Sequence, residues 1–184
     1  MKKAEPEVTR TIYPRLPDIP DLETLELVTA VEEEELEYIS QFETDRKRYF
    51  VLLYIKAMSY LGHSRFQPGD LPRLMRVQLA RALKLPSHFA RIREIPQSEK
   101  DEHVSDAGEF LHLTSYTRTV ERQAQSWLTK EVACKEGDPV SVINALILWF
   151  KNSKVELPPF SDVAQITARA LKCNRPQEFA AFGR

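Results

Sequence analysis

Residues 46–62 read RKRYFVLLYIKAMSYLG, and the distribution of apolar side chains in this stretch decides the fold. From Phe50 to Leu61 they fall on nearly every side of a helix rather than along one stripe, the pattern of a helix surrounded by others. Thr44 or Asp45 stands where a helix can begin. Gly62 stands where one can end, because glycine takes the left-handed C-terminal cap conformation without steric cost. The run is too short and too interrupted to span a bilayer, which needs about 20 mainly apolar residues. It reads as the buried support of a helical bundle, with Arg46, Lys47 and Arg48 at its solvent end.

The rest of the chain supplies helices to surround it. A content of 42% hydrophobic and 29% charged residues over 184 positions is that of a folded soluble chain. Five glycines, twelve prolines, abundant Leu, Ala, Glu and Arg, and no sustained period-two alternation give all-α as the expected fold class. Upstream, TIYPRLPDIPDL contains Pro14, Pro17 and Pro20 and predicts an extended arm. Asp21 is expected to cap a short helix, and Thr29 with Glu32 to form a capping box for VEEEELEYIS, whose glutamates suit a solvated first turn.

Downstream, Asp70 is placed as the N-cap of LPRLMRVQLARALKL, and Ser98 with Asp101 opens a helix through about Leu111. TVERQAQSWLTKEVACK predicts a helix with Val120, Ala124, Trp127 and Leu128 inward. Asp138-Pro139 is an N-cap followed by proline at the first helical position, a strong start for PVSVINALILWFKNSK. The prolines of VELPPF then make a rigid link, after which Ser161 is expected to cap DVAQITARALKC.

Net charge is −1, but it is unevenly spread. Residues 1–45 hold 4 basic and 13 acidic side chains, residues 46–94 hold 11 and 2, and residues 95–184 hold 11 and 12. The basic middle is the electrostatic footprint expected of nucleic-acid contact, although the acidic head could fold over it and neutralise it. At 100° per residue the helix after Asp70 places Leu71, Leu74, Met75, Gln78, Leu79, Ala82 and Leu83 on one side. Arg73, Arg76, Val77, Ala80, Arg81 and Lys84 fall on the other. That second face, basic with small residues between, suits phosphates and base edges.

The same device recurs: helices 46–61 and 139–154 are buried supports, each followed by a proline-containing turn and a short amphipathic helix, 71–84 or 162–173. This is a helix-turn-helix-like organisation with long connections. The expected division is an arm with acidic helices over 1–45, a basic helical DNA-binding unit over 46–97, and a second helical unit over 98–184.

The order of YPR, an acidic helix, DRKRYFVLLYIKAMSYLGHSRF, a basic helix and INALILWFKNSKVELPPFSDVAQITARAL resembles the N-terminal region of the transposases of the Tn-three family of replicative (class II) transposons, over roughly residues 12–175. The resemblance implies a bipartite helical region that recognises the terminal inverted repeats. The family's acidic catalytic residues lie in a later region, so no catalytic residue is carried over.

The candidate DNA-binding residues are Tyr13 and Arg15 on the arm; Arg46, Lys47, Arg48, Arg65, Arg73, Arg76, Arg81, Lys84, Arg91 and Arg93 in the basic unit; and Gln165, Arg169 and Lys172 in the second. The second unit is not net basic when counted from residue 98, and its expected role extends to dimerising or positioning its neighbour. Expected partners are double-stranded DNA at transposon ends and a second copy of the chain or the remainder of a transposase. No membrane partner, cofactor or metal is expected.

His63, His88, His103 and His112 stand apart from any motif, and there is no phosphate-binding glycine loop, HExxH or G-x-S-x-G, so a stand-alone enzyme is not expected. Cys134 and Cys173 lack metal-like spacing and read as thiols. MKKAEPEVTR lacks the apolar centre of a signal peptide, and the expected location is the bacterial cytoplasm, at the nucleoid. The competing class is a helical protein-interaction module whose basic middle binds an acidic partner.

Overall fold

The structure, a computed structural model, describes residues 8–16 and 20–173. Pro17, part of the expected arm, lies outside them. The fold is all-α, as expected: α1 (Leu22–Thr29), α2 (Glu33–Ser40), α3 (Asp45–Leu61), α4 (Arg73–Ala82), α5 (Gln97–Phe110), α6 (Arg118–Trp127), α7 (Pro139–Asn152) and α8 (Phe160–Cys173). A π-helical turn, Leu128–Val132, continues α6. Among the described residues no helix is long and apolar enough to cross a membrane.

Two compact units are present. One is Pro14–Thr114; the other joins the described residues up to Tyr13 with those from Ser115 onward. The expected boundary at 97/98 is thus displaced, because α5 belongs with α3. His103 and Ala107 of α5 are buried, and its carboxylates pair with cations at the start of α3.

In the first unit α3 is the central helix. Every residue from Tyr49 to Met58 is buried, and α1, α2, α4 and α5 pack against it. Burying each large apolar side chain contributes about 1.5–3 kcal/mol, so α3 carries much of the unit's stability. Lys56 lies within this buried stretch, and its Nζ meets Glu35 Oε1 at 2.6 Å. The other Glu35 oxygen accepts from the Glu32 amide at 2.8 Å, closing a capping box at the start of α2. The box therefore pairs Glu32 with Glu35, whereas Thr29 finishes α1 by donating to the Leu25 carbonyl.

Local signals hold at four of the expected ends. Asp21 Oδ1 accepts from the Thr24 amide at 2.7 Å, Thr44 Oγ1 from Lys47, and Asp138 Oδ2 from Ser141, while Gly62 closes α3 at φ 71°. Three ends differ. Asp70 caps the short turn Pro68–Asp70 by accepting from the Gln67 amide, and the residue before α4 is Pro72. Pro96 precedes α5, which starts at Gln97, ahead of Ser98. Ser161 is the second residue of α8, whose first turn bonds to the Pro159 carbonyl.

In the second unit α7 buries Val142, Ile143, Leu146, Ile147 and Phe150 against α6, α8 and the π turn. Trp127 stacks on Trp149, centroids 6.0 Å apart. The N-terminal segment is fastened here: the Tyr13 hydroxyl donates to the Pro158 carbonyl at 2.9 Å, and its ring meets Phe160 edge-on at 5.5 Å. The Ile12 amide donates to Asn144 Oδ1.

Candidate nucleic-acid interface

α4 and the segment after it hold the strongest local excess of cations. Between Gly62 and Arg93 the chain has seven Lys or Arg residues and one carboxylate, Asp70. α4 is rotated by about 100°, one residue, from the expected orientation. Its buried residues are Met75, Arg76, Leu79 and Ala80, whereas Leu74 is 49% exposed and Gln78 and Ala82 also face solvent. The outward face therefore carries Arg73, Leu74, Gln78 and Arg81.

Arg76, expected to reach DNA, is instead 6% exposed and structural. Its Nη1 donates to the Ala90 carbonyl at 2.6 Å, tying α4 to the turn Phe89–Arg91, and burial lowers its pKa from the usual arginine value. The Tyr49 hydroxyl donates to the Arg76 carbonyl at 3.2 Å, and burial pushes that hydroxyl up to about 12. Hydrophobicity alone places every arginine outward; a buried carbonyl that needs a donor reverses the assignment at this one.

The segment after α4 folds back on the turn before it. Gly69 donates its amide to the Arg93 carbonyl at 2.6 Å, and a Cβ at Gly69 would lie 2.9 Å from both that oxygen and Arg93 Cβ. Only glycine allows this approach. The result holds Arg93 beside the start of α4. Arg73, Arg81, Lys84, Arg91 and Arg93 are exposed and form no ion pair among the described residues. Arg65 is exposed in the preceding turn.

The remaining predicted residues are placed differently. Arg46 forms a two-pronged pair with Glu99, at 2.7 and 3.1 Å, which raises the arginine and lowers the carboxyl from their usual values. Lys47 pairs with Glu102 and Asp106, and Arg48 with Asp45 and the Phe42 carbonyl. These three cations are neutralised within the unit by carboxylates that the sequence division had assigned elsewhere. Tyr13 is anchored rather than free, while Arg15 is exposed. In the second unit Gln165 and Lys172 are exposed, and Arg169 Nη2 pairs with Glu121 at 2.6 Å.

A family profile described as "Domain of unknown function (DUF4158)" matches residues 6–170. The chain belongs to the DUF4158 family. Comparison of this DUF4158 chain with curated proteins gives no match. Sequence reasoning missed Leu74 and Gln78 as members of the exposed α4 face; their signal is that Leu74, Gln78 and Arg81 are spaced four and three apart.

Proposed function

We propose that the chain binds duplex DNA sequence-specifically at the terminal inverted repeats of a transposon. On this reading it is the non-catalytic N-terminal part of a Tn-three-family transposase or a short relative that modulates transposition, acting in the cytoplasm at the nucleoid. The observation that carries it is the exposed face of α4 and its following segment, where Arg73, Arg81, Lys84, Arg91 and Arg93 stand without carboxylate partners beside Gln78. Arginines positioned this way neutralise phosphates, and Arg or Gln side chains read base edges. The resemblance described above, over most of the length the DUF4158 profile covers, supports the same reading.

A mobility shift with an inverted-repeat duplex against a scrambled one at equal salt tests the proposal; equal affinity for the two removes the specificity claim. Arg81→Ala is expected to reduce the salt slope by about 0.9 if the residue meets a phosphate. Arg76→Gln is expected to lower stability with the slope unchanged, because that side chain is spent on Ala90.

One observation favours the alternative protein-interaction module. Leu22 and Leu27 of α1 are 71% and 68% exposed, beside the exposed Glu23 and Glu26. Sedimentation of the DNA-free protein, with Leu22→Ser and Leu27→Ser as comparison, shows whether that face associates.

A further inference from the structure

The displaced unit boundary changes the charge of both units. Residues 14–114 hold 13 basic and 18 acidic side chains, whereas residues 1–13 and 115–184 together hold 13 and 9. The second unit, at −1 when counted from residue 98, is therefore net positive. Four of its cations, Arg122, Lys130, Arg169 and Lys172, line one feature, a groove of ≈ 590 Å³ between α6 with its π turn and α8.

Arg122, Lys130 and Lys172 line this groove and form no ion pair among the described residues. The carboxylate in its wall, Glu121, is already engaged by Arg169. Ser126, exposed on the same wall, adds a hydroxyl. In an α-helix Arg122 and Ser126 share a face, and Lys130 drifts off it. The π turn, with Ala133 donating to the Leu128 carbonyl, is wider and winds Lys130 back toward that row.

The walls are fixed to each other. In the amide orientation assigned from its neighbours, Gln125 donates to the Ile166 carbonyl at 3.2 Å and accepts from the Ala170 amide at 3.1 Å and from Thr129 Oγ1 at 3.2 Å. One α6 side chain thus bonds to the backbone of α8. Arg122, Lys130 and Lys172 stand exposed on the rim of this joined pair.

We infer that this groove receives backbone phosphates of duplex DNA, with Arg122, Lys130 and Lys172 as the contacts. The inference rests on the DNA-binding reading, which it extends to a second site. Of the three residues expected to contact DNA from α8, Lys172 acts from the groove edge, whereas Arg169 is engaged by Glu121. Positioning contacts of this kind are independent of sequence.

The test uses the full chain and a 40-base-pair duplex of arbitrary sequence, followed by fluorescence anisotropy across a sodium chloride series. Replacing Arg122, Lys130 and Lys172 together by Gln is expected to lower the salt slope by about 2.7, at about 0.9 per phosphate, with the helical circular dichroism unchanged. Arg73→Ala with Arg81→Ala serves as the comparator for α4.

A slope lowered by the α4 pair but not by the groove triple overturns the groove and leaves the DNA reading standing. Absence of duplex binding by the wild-type chain at 50 mM salt overturns both. The exposed thiol of Cys173, at the groove, gives a second readout. In a Cys134→Ser background, duplex is expected to slow maleimide alkylation of Cys173 several-fold. Unchanged alkylation, or equal protection by pyrophosphate at matched ionic strength, overturns the assignment to a DNA backbone.

Discussion

Replacing Lys56 by methionine leaves the Glu35 carboxylate buried with the Glu32 amide but without its cation. Such a removal costs about 3–5 kcal/mol because the remaining charge is uncompensated. Denaturant unfolding of Lys56→Met should show that loss, and adding Glu35→Gln, which keeps an acceptor for the Glu32 amide, should recover a large part of it. His103 gives a pH dependence. Its ring is 2% exposed, stacks on Phe50 and leaves Nδ1 without a partner, and burial lowers its pKa below the usual 6.5 even though Glu99 pulls the other way. The unfolded chain therefore takes up the proton first as pH falls, so stability should decline from about pH 6.5 downward. The Glu99 carboxyl, held low mainly by Arg46, loses its own contribution further down, as pH falls below the usual carboxylate value. Unfolding midpoints measured between pH 8 and 5 should slope downward in the wild type and flatten above pH 5.5 in His103→Phe.

Three helices end in a way that no glycine announces. Lys84, His112 and Lys154 have φ of 55°, 53° and 53°, each just past the end of α4, α5 or α7. Each is followed by an apolar residue whose amide reaches back over the last turn: Leu85 to the Ala80 carbonyl, Leu113 to Gly108 and Val155 to Phe150. This is the Schellman arrangement, normally given to glycine. A side chain with a Cβ is strained there by about 1 kcal/mol, so Lys154→Gly should raise stability by about that amount, read from the denaturation midpoint. Helix starts were legible where a polar side chain bonds its own first turn, as at Asp21, Thr44 and Asp138, because that bond is local. The facing of α4 was not legible. It depends on Arg76 meeting a carbonyl fourteen residues away, and periodicity carries no record of that contact. Likewise, the cations Arg46 and Lys47 read as DNA contacts until α5 brings Glu99, Glu102 and Asp106 beside them.

Across the whole molecule, the all-α class and the two central helices followed from composition and from apolar runs too evenly spread for a surface helix. The division into units did not, because it is set by which helix covers α3. A fragment of residues 46–94 lacks α1, α2 and α5 and exposes the flank of α3 that they bury; it should be unfolded by circular dichroism, whereas 14–114 should unfold cooperatively. Cooperative folding of 46–94 would show that α5 is dispensable. The second unit is discontinuous in sequence, and the hydroxyl of Tyr13 finds its acceptor 145 residues later, at Pro158. At a synthesis rate of about 5–20 residues per second, the ribosome releases that acceptor roughly 7–30 s after the tyrosine. For most of this interval the N-terminal segment has no α7 or α8 to join, whereas the intervening unit has all of its chain once Thr114 is made, well before Pro158. Vectorial translation therefore finishes the inserted unit first, and residues 8–13 wait for the partners that the enclosing unit supplies last.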